Sequence, residues 1–243
     1  MSNYTPENYA QKILRDDMYS GLLTGDHTRA TTKTLLDPEY AFVYSQNLYS
    51  HLSRLMPAKP QGILDIGCGP GAISEALHRL LDVPVWGIDM SPSAIAYAQK
   101  EFPGPDFIKG SADNLGSFDT NSIALVHARE FYPFSRTSDS GLQMRFLNAA
   151  LPKLVSGGLF CVIQIRDPKA DSGIHVNLQA LQAHALEAGY KGFGEIVMAP
   201  QFFFRRYGKL SQLAPIRWAI SIAGQLLEIL KPGRVTYIYW FKS

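Results

Sequence analysis

Residues 63–74 constrain what this chain can fold into more than any other stretch. Ile63, Leu64 and Ile66 make a short apolar run with the character of a strand buried in a parallel sheet. Gly67, Gly69 and Gly71 follow at alternate positions, so the backbone can turn sharply and approach a ligand with no Cβ in the way. Residues 72–80 then place Ile73, Ala76, Leu77 and Leu80 at helical spacing, which points the unpaired N–H groups of a helix start at the turn. Such a start favours an anion, and the unit reads as a cofactor-binding edge.

Strand and helix signals alternate from there on. A second strand is expected at 85–89, followed by Ser91 and Pro92 as N-cap and first-turn residue of a helix through Lys100. Further strands are expected at 107–109 and 123–127. A helix at 142–154 stops at residues 155–158, and a fifth strand without charge spans 159–165. This order implies right-handed crossovers and a doubly wound parallel sheet. A helix at 178–188 ends at Gly189, and strands at 195–204 and 235–241 complete the chain as an antiparallel edge pair.

Ahead of the first strand, residues 1–57 read as an N-terminal helical cap or lid with helices at 6–19 and 38–56, capped by Thr5 and Asp37. Its Tyr4, Tyr9 and Tyr19 either pack on the core or close over a ligand. Residues 58–243 form the core domain, with 205–233 a helical insertion before the last strand. Within it, residues 210–230 are apolar on several helix faces. Packing on the sheet or the cap is the ordinary expectation; a homodimer interface, an apolar substrate lid and membrane contact are the others, in that order. Arg217, Gln225 and Glu228 argue against a spanning helix and stable membrane insertion.

Charge is nearly balanced, with 23 Lys and Arg against 21 acids, and no basic block tracks a phosphate backbone, so nucleic acid is not an expected partner. Cys68 and Cys161 have no metal-ligand spacing, and no metal site is expected. The thiols and the polar N-terminus suit a cytoplasmic protein.

The glycine turn alone leaves two cofactors open. Residues 67–72 also fit the looser dinucleotide pattern G-x-G-x-x-A, with Asp89 near the distance of a ribose hydroxyl, which would suit a nicotinamide-dependent oxidoreductase. Three features tilt the reading: Asp65 two residues before the first glycine, Asp89-Met90-Ser91 closing the second strand, and Ser111-Ala112-Asp113 after the third. With these the chain resembles the class I S-adenosylmethionine-dependent methyltransferases, small-molecule type. Their acid followed by G-x-G-x-G is matched by Asp65, Gly67, Gly69 and Gly71. The resemblance covers residues 60–165.

It implies an α/β fold, a Rossmann-like, doubly wound, seven-stranded and mostly parallel sheet with the antiparallel C-terminal edge pair. It implies S-adenosylmethionine as cofactor and S-adenosylhomocysteine as product. Asp65 and the turn, Cys68 included, would sit beside the methionine part, Asp89 on both ribose hydroxyls and Met90 on an adenine face. Ser111, Ala112 and Asp113 would receive the adenine edge, with Arg129 near the methionine end. A non-catalytic protein that keeps this pocket is a further reading.

Methyl transfer from a sulfonium is an in-line displacement, so the protein mainly positions the acceptor and excludes water. Residues 127–136 follow the fourth strand, where ligands bind such sheets. Glu130 is the first candidate for acceptor-orienting group or base, His127 the second, and Tyr132 would line the acceptor pocket. The stretch lacks the family's N-P-P-Y type of signature, which argues for a small-molecule acceptor.

Overall fold

The computed structural model describes residues 19, 36–56, 60–135, 137, 139–166, 178–198, 213, 215, 216, 218, 219, 222, 223 and 235–243. Tyr4, Tyr9, Arg136, residues 6–18 of the helix expected at 6–19, residues 199–204 of the expected sixth strand and most of 205–233 lie outside them.

The sheet has seven strands: β1 (Ile63–Ile66), β2 (Val85–Asp89), β3 (Asp106–Lys109), β4 (Ile123–Arg129), β5 (Leu154–Arg166), β6 (Gly192–Met198) and β7 (Val235–Lys242), in the spatial order β3-β2-β1-β4-β5-β7-β6. β1 to β5 pair in parallel, and β7 runs antiparallel between β5 and β6. A dinucleotide-binding sheet of order 3-2-1-4-5-6 stays parallel to its sixth strand. The inserted antiparallel β7 departs from that pattern.

Among the described residues the sheet is accompanied by helices α1 (Pro38–Leu52), α2 (Ala72–Leu81), α3 (Pro92–Glu101), α4 (Tyr132–Ser135), α5 (Ser140–Ala150) and α6 (Leu178–Ala188). The caps are sequence-encoded. The Asp37 carboxylate accepts from the N–H groups of Glu39 and Tyr40, Ser91 Oγ from Ala94, and Asp139 from Leu142.

Period-two alternation sends neighbouring strand residues into two different layers. Leu64, Ile66, Val126, Ala128, Phe160 and Val162 enter one core with Phe146 and Leu147 of α5 and Leu181 of α6. Ile63, Leu125, Leu159, Cys161 and Ile163 enter the other, with Tyr44, Leu48 and Leu52 of α1 and Leu77 of α2. Asp65 and His127 continue the second set towards the carboxyl edge of the sheet.

Boundaries differ from expectation where glycine or a bulge intervenes. Residues 155–158, expected as a stop, lie inside β5. Ile123 pairs with Leu154 but Leu125 with Leu159, so β5 carries extra residues opposite β4, and Gly157 has φ +76 there. β6 starts at Gly192, earlier than its sequence suggests, because the Trp240 ring of β7 lies over Gly194 where a Cβ would stand.

Candidate functional site

The glycine turn links β1 to α2 at the carboxyl edge of the sheet. Gly67, Gly69 and Gly71 all have positive φ, at 70°, 54° and 87°. A Cβ at Gly71 would lie 2.7 Å from the Phe107 ring and 2.8 Å from Ala98 Cβ; one at Gly69 would lie 2.9 Å from the Tyr19 hydroxyl, and one at Gly67 2.6 Å from Phe131. Phe107 and Ala98 thus wall one side of the turn, while Tyr19 and Phe131 cover others. Gly67 and Cys68 donate their N–H groups to Ile88 O, at 2.8 and 3.1 Å, which binds the turn to β2.

Asp89 ends β2 and is buried. Its Oδ2 accepts from Gly69 N and its Oδ1 from Ser91 N, each at 2.9 Å. One carboxylate therefore clamps the glycine turn to the start of α3. Burial pushes its carboxyl above the usual range, and the backbone N–H groups of Ser91 and Gly69 pull the other way. Each oxygen keeps a further lone pair for an outside donor.

Asp65 is held differently. β1 and β4 pair with Asp65 opposite His127, and the His127 Nδ1 lies 2.7 Å from Asp65 Oδ1. Ser74 Oγ, in the first turns of α2, donates to Asp65 Oδ2 at 2.6 Å. The other ring nitrogen of His127, Nε2, lies 2.9 Å from the Tyr44 hydroxyl of α1. Burial pushes the Tyr44 phenol well up, so it keeps its proton, and its hydroxyl and the Asp65 carboxylate engage the two ring nitrogens of His127. Ser74, Asp65, His127 and Tyr44 form one buried chain with both imidazole nitrogens engaged. His127, expected as an acceptor-facing group, therefore has no ring nitrogen left for a substrate proton.

Arg129 lies two residues beyond His127 on the same face. Its guanidinium sits 5.1 Å from the Tyr44 ring centroid and 5.9 Å from that of Tyr40, and its Nη2 donates to the Tyr40 hydroxyl at 3.2 Å. Its Nε is buried with no hydrogen-bond partner among the described residues. No carboxylate among them lies within ion-pair distance of this cation.

Glu130, next in the chain, adopts φ +49, a left-handed conformation that is uncommon for a residue with a side chain. Its N–H donates to Ile163 O at 2.8 Å, so pairing with β5 holds the backbone there. Tyr132 is buried at the start of α4, and burial followed by the Asp139 carboxylate pushes its phenol up. Met90 is half-buried beside Asp89. The Cys68 side chain packs with Ile95, Ala98 and Phe107, while its N–H donates to Ile88 O and its carbonyl accepts from Gly71 N. Ser111 Oγ donates to Asp113 Oδ1, and Ala112 is buried between them.

Tyr40, Tyr44, Ser74 and Phe131 were not singled out by sequence reasoning. Tyr40 and Tyr44 carry a signal in retrospect, since residues four apart on α1 share a face.

Residues 63–151 match the model of the methyltransferase domain family. Among curated proteins, the demethylmenaquinone methyltransferase of Chlorobaculum tepidum is 33% identical over 66 residues, 27% of this chain and 27% of its own length. The trans-aconitate 2-methyltransferase of Yersinia pestis is 42% identical over 59 residues, 24% of this chain and 23% of its own. The chain thus spans about a quarter of the length of the curated relatives it matches. Among solved structures, the plantazolicin methyltransferase BamL, in complex with a triazolic desmethylPZN analog and SAH, superposes with a TM-score of 0.62 at 16% identity. That match covers 96% of this chain and 94% of BamL, and it is a likeness of fold. Motif, strand order and domain match coincide on one stretch, and over residues 63–151 the chain is similar to the methyltransferase domain family.

Proposed function

We propose that the protein transfers the methyl group of S-adenosylmethionine to a small-molecule acceptor. The observation that carries this reading is the Asp89 clamp, a buried carboxylate on the glycine turn with lone pairs left for two ribose hydroxyls. The positive-φ glycines fit a ligand that approaches the backbone closely, so the residues present suit the cofactor. When bound, the cofactor supplies an electrophilic methyl group on sulfur.

The chain's own residues divide the remaining work. Gly67, Cys68, Gly69 and Gly71 offer backbone to the methionine part, Met90 packs on the adenine, and Ser111, Ala112 and Asp113 bound its edge. Arg129, a cation without a carboxylate partner among the described residues, receives the methionine carboxylate. Asp65 and His127 act through one another as positioning residues beneath the turn, joined by Tyr44 to α1. Glu130 orients the acceptor or takes its proton, held at the site by a strained backbone of the kind that gathers at functional positions. Tyr132 lines the acceptor pocket.

The test is transfer of labelled methyl from S-adenosylmethionine to a panel of carboxylic acids, phenols, amines and thiols. The reading expects one class to be labelled and the Glu130→Gln variant to lose about a hundredfold in kcat without loss of stability. Cofactor binding with no transfer to any class would favour a protein that keeps the pocket without catalysis.

A further inference from the structure

Pro215, Ile216, Trp218, Ala219, Ile222 and Ala223 have helical backbone, and all but the half-buried Ile216 are exposed. Positions 215, 218, 219, 222 and 223 follow the i, i+3, i+4, i+7, i+8 spacing of one helix face. In a surface helix that stripe ordinarily meets the core. Here Trp218 is 69% exposed and Ile222 37%, with Leu213 just before them at 54%. Packing on the sheet or the cap, the ordinary expectation for this segment, does not hold for these residues.

The charge of the sequence segment that carries the stripe is as uneven as the stripe's exposure. Residues 205–234 hold six basic residues, Arg205, Arg206, Lys209, Arg217, Lys231 and Arg234, against the single acid Glu228. The rest of the chain has 17 basic residues against 20 acids, so the cationic excess of the whole protein resides in this segment. A tryptophan-bearing apolar face in a sequence segment with a cationic excess suits a helix that lies in a membrane interface. A second copy of the chain pairing through this face would bring two cationic segments together, and a lid over an apolar acceptor would bury Trp218. No helix among the described residues is long and apolar enough to cross a membrane.

We infer that the 213–223 face docks the protein on an anionic lipid bilayer, with Trp218 and Ile222 entering the headgroup boundary and the cationic excess of the 205–234 sequence favouring anionic lipid. This docking is independent of the methyl-transfer chemistry.

Co-sedimentation of the full chain with phosphatidylcholine vesicles, with and without about a quarter phosphatidylglycerol, tests it. The expected result is binding at least about tenfold tighter to the anionic vesicles, weakened by salt, with a blue shift of tryptophan fluorescence. Trp218→Ser combined with Ile222→Ser should reduce that binding about tenfold or more and leave the thermal melt unchanged. Lys231→Glu with Arg234→Glu should weaken it while leaving binding to neutral vesicles unaltered. Equal binding to both vesicle types, or none, would overturn the inference. So would a dimer in sedimentation velocity that the serine pair dissolves while vesicle binding persists.

Discussion

Asp89 is the residue on which most depends. Its carboxyl sits above the ordinary range, so between the unfolded and folded pKa values the native state holds a proton the unfolded chain has released. Stability contributed through Asp89 therefore falls as pH rises through that window and is level above it. Cofactor affinity runs the other way, because only the carboxylate accepts two hydroxyl donors. Calorimetric titration with S-adenosylhomocysteine should show affinity falling on acidification with a midpoint above the ordinary aspartate range. In Asp89→Asn the affinity should be at least about tenfold lower at neutral pH and flat across that range. Tyr44→Phe makes the opposite kind of test. It strands His127 Nε2 in a buried site, so urea denaturation should register a loss of about 1–3 kcal/mol. A large fall in kcat with unchanged stability would instead give His127 the acceptor-facing role.

At the scale of elements, the strand-turn-helix unit is bonded on every side. Gly71→Ala would force a side chain into a φ of +87 and against Phe107 and Ala98, and denaturation should show a loss of about 2 kcal/mol or more. Ser91→Ala removes the α3 cap and should cost about 1 kcal/mol by the same measurement. This unit was legible in the sequence because its signals are local: glycine spacing, an apolar strand and a cap before Pro92. The partners of Asp65 were not. His127 reaches it through the β1–β4 register and Tyr44 through the packing of α1, and neither is written in nearest-neighbour pattern. For the same reason Arg129 could be placed at the strand end but not against two tyrosine rings. Strand ends at 155–158 and 192 were missed where a bulge and a tryptophan-covered glycine overrode local propensity.

For the whole molecule, the sheet brings the ends of β1, β2 and β4 to one edge, and α1 stands over that edge through Tyr40 and Tyr44. The doubly wound topology was readable from alternating strand and helix signals, while the slot β7 occupies between β5 and β6 is a matter of long-range pairing. A ligand seated on this edge touches several elements at once and should stabilise the fold by mass action, about 2.7 kcal/mol at a hundredfold excess over its Kd. The most direct measurement is therefore calorimetric binding of S-adenosylmethionine and S-adenosylhomocysteine by the folded chain, beside reduced nicotinamide cofactor. The account predicts saturable one-to-one binding of both adenosyl ligands, weakened by Asp89→Ala without unfolding, and none of the nicotinamide. Absence of adenosyl ligand binding by folded protein, or binding indifferent to Asp89→Ala, would contradict it.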